Sequence, residues 1–554
     1  MGSVASRPAA GLLCCLSLVL GCGDDAAPSD AAPSDGAPND AGTDSGPPPP
    51  PIALPEPGPV AGAGGEGSFT LGVATAATQI EDANDTADWW VWTLPEERGG
   101  LGHGTFVGDA VRGYARQLED NALVSELNVD AYRFNPSWAR IEPTRDVLDE
   151  EALAHYDEVL DDLVARGIKP MVTVHHFSSP VWVDDPRRTE DCTEAPTDAD
   201  LCGWHHPEGV EQILEELAEY GTLLGERFGD RVDEWCTLNE PINYLVASYG
   251  MGAFPPGRSL LLSRFDDFVG VVRNYIRAHV VLYDAIHAAD TVDADGDGVA
   301  AHVGYTLSVI AWVAARRGRA SDDPADLAAE ERIRHVYHHV FTDALVTGRF
   351  DSDLDLEGDE AHPDWAGKLD FLGVQYYSRQ GVTAMPALLA PLGLTPCFAP
   401  AFDFGACLPP ADPTHWVPTM HYEYWEPGIF EILVEFSERY PGLPMTVTES
   451  GLATRVGRRR SEHIVRSLEQ IWRAREAGVD VRGYYHWSLM DNFEWAEGYE
   501  PRFGLYAVDL GTYERTPTEG ARTLAAIAAR RELGATERAT LGGLGPMTPE
   551  PDAP

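Results

Sequence analysis

The feature that most constrains this chain is an alternation that repeats eight times. Short apolar runs at 69–74, 131–134, 170–174, 234–238, 301–307, 371–375, 445–448 and 483–486 read as buried strands. Helical patterns lie between them, for example at 149–166, 207–228, 265–289, 324–346, 428–440 and 461–477. Eight strands, each followed by at least one helix, is the count for a (β/α)8 TIM barrel, an α/β fold. The alternative is an open doubly wound sheet. That fold more often carries a glycine-rich phosphate loop after its first strand, and this chain has none. At 554 residues the chain is long enough for two or three average domains, but one barrel with insertions can exceed 400 residues. The expectation is a single catalytic domain over 67–533.

The two ends read differently. Residues 1–22 carry Arg7, an apolar run from Ala9 to Leu20 and the sequence Leu18-Val19-Leu20-Gly21-Cys22. This is a signal peptide in length, too short to span a bilayer, and its end resembles a bacterial lipobox with Cys22 as the lipidated residue. An ordinary secretory signal is the other reading. Residues 23–66 are rich in Ala, Pro, Asp and Ser, with prolines at every position from Pro47 to Pro51, and read as a disordered linker. Residues 534–554 read as a loose tail. The expected location is therefore outside the cytoplasm, on a lipid anchor in a membrane, facing the periplasm or the cell surface. The net charge of −49, from 89 acids against 40 bases, argues against a nucleic-acid partner.

In an exported chain, Cys192 and Cys202, ten residues apart, and Cys397 and Cys407, also ten apart, are disulfide candidates stapling two polar insertions. Cys236 reads as a buried thiol. No zinc-ligand spacing is present, and no metal is expected. One weak calcium candidate, Asp293, Asp295 and Asp297, lacks the Glu an EF-hand needs at its twelfth position, where Gly304 stands. An acidic turn is the simpler reading.

The chemistry lies at two strand ends. Met445-Thr446-Val447-Thr448 runs into Glu449-Ser450-Gly451, and Trp235-Cys236-Thr237-Leu238 runs into Asn239-Glu240-Pro241. In a parallel barrel the C-terminal strand ends line the active site. Two carboxylates facing each other there meet the requirement for glycoside hydrolysis. One protonates the leaving oxygen; the other attacks the anomeric carbon or activates water.

These motifs resemble those of glycoside hydrolase family 1, the retaining β-glycosidases. Thr237-Leu238-Asn239-Glu240-Pro241 is similar to the family's acid/base motif and Val447-Thr448-Glu449-Ser450-Gly451 to its nucleophile motif. The resemblance implies Glu240 as general acid/base and Glu449 as nucleophile. It further implies Gln79, His176, Asn239, Tyr377, Trp487, Glu494 and Trp495 as sugar-binding residues. Arg133 and Tyr377 would support the nucleophile and keep it ionised, while Glu240 would have a raised pKa. No cofactor follows, since proton and nucleophile both come from side chains.

The implied activity is exo-acting, retaining hydrolysis of terminal β-D-glucosyl O-glycosides, with β-D-galactosyl O-glycosides as a second specificity and a β-linked oligosaccharide or glycoside as substrate. A transglycosylase using the same residues and a non-catalytic surface glycan-binding protein are the alternatives. Glu494 argues against a 6-phosphorylated sugar, and Glu240 against a thioglucosidase. The stretches 87–93 and 483–504 look more like the archaeal branch of the family than the plant branch. Departures are Gln375 and Ser450, each where the family usually has Asn, with Asn135-Pro136 and Phe177.

Overall fold

The computed structural model describes residues 48–188, 192, 195–397 and 404–551. Cys22, the expected signal segment and most of the expected linker lie outside the described residues. The architecture lies in the compact unit that begins at Pro50. Among the described residues no helix is long and apolar enough to cross a membrane.

Eight parallel strands close into a barrel: β1 (Thr70–Ala74), β2 (Ala131–Phe134), β3 (Lys169–His175), β4 (Glu234–Asn239), β5 (His302–Arg316), β6 (Leu372–Thr383), β7 (Met445–Ser450) and β8 (Val481–Trp487). Each pairs with its neighbour in chain order, and β8 returns to β1 with Tyr484 opposite Leu71 and Trp487 opposite Ala74. The main helices that follow them are α1 (Gln117–Glu126), α2 (Glu150–Ala165), α3 (Pro207–Phe228), α4 (Phe265–Ala289), α5 (Pro324–Arg334), α6 (Pro427–Arg439), α7 (Gly457–Glu476) and α8 (Glu519–Arg530). In α2 the local reasons are plain. Asp149 caps the backbone N–H groups of Glu151 and Ala152. Leu153, Tyr156, Leu160 and Leu163 then recur at helical spacing and are buried.

Three expectations are corrected. Strands β5 and β6 do not stop near Leu307 and Gln375. They run on to Arg316 and Thr383, paired with each other from Leu372 opposite Tyr305 to Val382 opposite Ala314, with an irregularity between Tyr376 and Ser378. The helix expected over 324–346 is interrupted by a π turn at His335–His339 before it resumes over Val340–Thr347.

The third correction concerns both ends of the domain. Residues 50–66 are ordered, not a linker. Ile52–Ala53 pairs antiparallel with Glu532–Leu533. Val60 and Ala61 are buried in one cluster with Ala131, Met171, Cys236, Phe371 and Tyr485, inside the barrel floor. Residues 535–551 are not loose either. Ala535–Leu541 is helical, Met547 is 3% exposed, and Thr548 donates from its N–H and its hydroxyl to Glu462, both at 2.7 Å. This segment covers α7, whose Arg466 is buried and donates to the carbonyls of Gly545 and Pro546.

Candidate active site

Glu449 is the penultimate residue of β7 and points into the barrel mouth. Its Oε1 accepts from Arg133 Nη1 of β2 at 2.5 Å, and its Oε2 accepts from the Tyr377 hydroxyl of β6 at 2.7 Å. Strand alternation turns Ser450 the other way. It is fully buried with its Oγ 3.4 Å from His463 Nε2 of α7, so this departure lies outside the barrel interior.

Glu240 follows β4 directly, with φ 43° and ψ 61°. That left-handed conformation is uncommon for a residue with a Cβ, and it is set by the Glu240 N–H donating to the Thr306 carbonyl at 2.8 Å. Asn243, one turn on, donates from Nδ2 to Glu240 Oε2 at 2.7 Å, and accepts at its Oδ1 from the Tyr337 hydroxyl at 3.1 Å. Phe177 and Trp495, with φ 62° and 48°, share the left-handed region. Such residues are held in place only by the packing around them.

The two carboxyls differ in their surroundings. Burial raises both. The Arg133 guanidinium and the Tyr377 hydroxyl in contact with Glu449 pull it back toward the ionised form. Glu240 has no cation in contact. Burial, and then the charge of Glu449, push it up to about 8. Its amide partner Asn243 opposes the shift without cancelling it.

Asn239, the last residue of β4, accepts at Oδ1 from Arg133 Nη2 (2.7 Å), Thr306 Oγ1 (2.8 Å) and Gln375 Nε2 (2.8 Å). Three donors on one oxygen leave Nδ2 as the group turned to the cavity. Gln375 thus locks its neighbour's amide.

A cavity of about 290 Å³ opens above these groups. Its lining includes Glu240, Glu449, Asn239, Tyr377, His176, Trp487, Glu494 and Trp495. His176 lies between the two indoles, 5.9 Å from each with interplanar angles of 23° and 19°. Burial keeps it neutral, well below the usual histidine range. Burial, followed by the charges of Glu449 and Glu240, pushes Glu494 up to about 8. Gln79 and Arg133 stand behind this wall rather than in it. Gln79 is fully buried and donates from Nε2 to the Phe493 carbonyl at 2.8 Å and to Glu494 at 3.2 Å.

The sequence reading missed Asn243, Ser308, Tyr337, Met420, Tyr422 and Glu497, which also line the cavity. Asn243 alone had a local signal, its position three residues after Glu240. Tyr337 comes from the π turn at His335–His339, and the others arrive from the β5 extension and later segments. Four glutamates and no Lys or Arg are among the described lining residues.

Cys192 pairs with Cys202 and Cys397 with Cys407. Cys236 is free and buried. Asp293, Asp295 and Asp297 lie at the opposite end of the barrel, and the structure does not gather all three. Asp293 and Asp295 lie with Asp233. Lys169 Nζ lies 2.6 Å from Asp295, and Asp297 turns to His302 Nε2 at 2.8 Å. A second group, His338, His339 and Glu435, is satisfied within the protein except at the buried His338 Nδ1, which has no partner among the described residues. His338 Nε2 accepts the Ile310 N–H, and His339 bonds Tyr440 and Glu435.

The profile of glycosyl hydrolase family 1 matches residues 66–533. The chain belongs to glycosyl hydrolase family 1. It is 29% identical over 497 residues to a β-galactosidase of Pyrococcus woesei, covering 81% of this chain and 94% of that protein. It is 30% identical over 476 residues to β-glucosidase 47 of Arabidopsis thaliana, covering 81% of this chain and 82% of that one. Identity at this level does not separate the archaeal branch from the plant branch. Among solved structures, the family 1 β-glucosidase of Thermotoga maritima superposes with a TM-score of 0.70 at 26% identity, over 84% of this chain and 98% of that one. This family 1 member is a glycoside hydrolase of the retaining type, acting on β-glycosides.

Proposed function

We propose that the chain is an exo-acting β-glucosidase, with β-galactosidase activity as a second specificity, that works by double displacement. The observation that carries this reading is the inequality of the two carboxyls: Glu449 is in contact with a cation and a phenol, and Glu240 with neither. Glu449 attacks the anomeric carbon while Glu240 gives its proton to the leaving oxygen; Glu240 then takes a proton from the water that releases the sugar. Glu240 near 8 is protonated at neutral pH and suited to the first of these steps.

Asn239 Nδ2 offers a donor to the sugar 2-hydroxyl, a contact that strengthens in the transition state. Trp487 offers an indole surface to a pyranose face. Glu494, protonated near neutral pH, has both a donor and an acceptor for sugar hydroxyls. Gln79 is its positioning residue. A lining with four glutamates and no Lys or Arg supports an unphosphorylated sugar.

The test is release of nitrophenol from p-nitrophenyl β-glucoside and β-galactoside. Wild type is expected to hydrolyse at least the glucoside, with Glu240→Ala slower by about 10²–10⁴ and Glu449→Ala inactive. Wild type silent on both substrates contradicts the reading.

Export and lipidation at Cys22 belong to the same proposal. The lipobox-like end at Leu18–Cys22 and the two disulfides support them. Labelled palmitate is expected in the wild-type protein expressed in a bacterium and absent from Cys22→Ala. Equal labelling of the two contradicts it.

A further inference from the structure

A proton on Glu240 has two oxygens to choose from, and the protein treats them differently. Oε2 accepts from Asn243 Nδ2 at 2.7 Å. In a neutral carboxyl the carbonyl oxygen is the better acceptor, so a donor held on Oε2 places the proton on Oε1. An amide turned the other way would offer Oδ1 to the acid. It would hold the proton on Oε2 and favour the protonated form. The end of the Asn243 amide that faces Glu240 therefore bears on both the place of the proton and the strength of the acid.

The Tyr337 hydroxyl fixes that choice. It donates to Asn243 Oδ1 at 3.1 Å. Burial, then the charge of Glu240, raises this phenol well above its ordinary range, so it stays a donor. With the amide reversed, Nδ2 would take the phenol oxygen, and the phenol proton would be left with Ser308 Oγ at 3.4 Å. The observed orientation gives that proton the shorter contact.

Tyr337 is itself fixed by its neighbours. It lies in the π turn His335–His339, a helical irregularity of the kind often found at functional sites. His335 Nε2 lies 2.8 Å from Asp351 Oδ2, His338 Nε2 accepts the Ile310 N–H at 3.1 Å, and His339 Nε2 lies 2.9 Å from Glu435 Oε1. The Trp312 ring meets the Tyr337 ring edge to face, with 5.6 Å between centroids and 83° between planes. Asn243 is placed by the short helix Pro241–Leu245, which begins immediately after Glu240.

Resting on the acid/base reading of Glu240, we propose that Tyr337 and Asn243 are positioning residues for that acid. The Tyr337 hydroxyl locks the Asn243 amide with Nδ2 toward Glu240, and the locked amide keeps the proton on Oε1 for the leaving oxygen. Neither residue gives or takes the transferred proton; both act through Glu240. When Glu240 is ionised, before it takes a proton from water, the same amide donor stabilises its carboxylate. One orientation thus serves both steps. Glu449, Glu494, Glu497, His176, Tyr377 and Tyr422 line the cavity with Glu240, and Arg133 stands behind Glu449. The substitutions below leave all of them in place.

The experiment measures kcat/KM against pH for phenyl β-glucoside, whose leaving oxygen needs a proton, and for dinitrophenyl β-glucoside, whose leaving oxygen does not. Wild type, Tyr337→Phe, Asn243→Leu and Glu240→Gln are compared. Tyr337→Phe frees the amide to turn, and Asn243→Leu removes it, so each loses a donor that favours the ionised form. In both, the basic limb on phenyl glucoside is expected about one pH unit higher than in wild type. Tyr337→Phe is also expected to lose about tenfold more on phenyl than on dinitrophenyl glucoside. Activity on dinitrophenyl glucoside reports that the variants fold. A basic limb that stays in place in both variants overturns the proposal. So does a loss in Tyr337→Phe that is equal on the two glucosides, the mark of a packing role. A limb that survives in Glu240→Gln on dinitrophenyl glucoside, or a wild type silent on both glucosides, overturns the reading of Glu240 as well.

Discussion

At the residue scale, the division of labour proposed for the two glutamates comes from their neighbours. Glu240 is pushed up to about 8 first by burial and then by the charge of Glu449. In the proposed mechanism the form that acts first is the protonated one, so activity is expected below that pKa and is expected to be lost as pH rises through about 8. The basic limb of kcat/KM, which reports the free enzyme, is therefore expected near pH 8. It should vanish in Glu240→Gln assayed with an activated aryl glucoside whose leaving group needs no proton. Glu494 is also pushed up to about 8 and interacts with the charges of Glu449 and Glu240. Glu494→Gln is the control: if the limb survives in Glu240→Gln and disappears in Glu494→Gln, the assignment is wrong. The position of both glutamates at the cavity was legible in the sequence because each ends an apolar strand and sits in a distinctive motif. The placement of Gln79 and Arg133 behind the cavity wall was not. A residue's position in a motif does not say which of its atoms a neighbour will occupy, and Gln79 Nε2 is occupied by Phe493 and Glu494.

At the scale of elements, the eight strands were legible from apolar runs, but two of their ends were not. Beyond Leu307 and Gln375 the sequence turns mixed, with Ser308, Ser378, Arg379 and Gln380, and local pattern no longer distinguishes strand from loop. What extends β5 and β6 is their pairing with each other, a tertiary contact. That extension brings Ser308, Tyr377 and Gln380 to the cavity. The same holds for Gln375. At this position the family usually has Asn. The longer side chain reaches across from β6 to Asn239 on β4. Gln375→Asn is expected to lose that hydrogen bond, with a net value of about 0.5–1.5 kcal/mol. The corresponding fall in kcat/KM is about two- to tenfold, and it should be smaller for a 2-deoxyglucoside, which lacks the hydroxyl that Asn239 is proposed to bind. An equal loss on both substrates argues for a general packing defect instead.

At the scale of the molecule, the fold class was legible and the domain edges were misread for one physical reason. Composition averaged over 23–66 and over 534–554 hides a few anchoring residues. Ile52, Leu54 and Val60 are buried, and Val60 helps close the barrel floor. Met547 and Thr548 do the same over α7. A chain starting at residue 67 is therefore expected to be less stable than one starting at residue 50 by roughly 5 kcal/mol, taking about 1.5–3 kcal/mol for each large apolar side chain lost. Chemical denaturation of the two truncated chains checks this. Matching midpoints and slopes would mean that residues 50–66 only decorate the barrel.

The central claim is that Glu449, held by Arg133 and Tyr377, makes the bond to the sugar. The direct measurement is azide rescue of Glu449→Ala with an activated aryl β-glucoside, reading the product anomer by NMR. With the nucleophile removed, azide enters from the vacated face and the account predicts an α-glucosyl azide. A β-glucosyl azide from this variant would assign Glu449 the acid/base role and contradict the account.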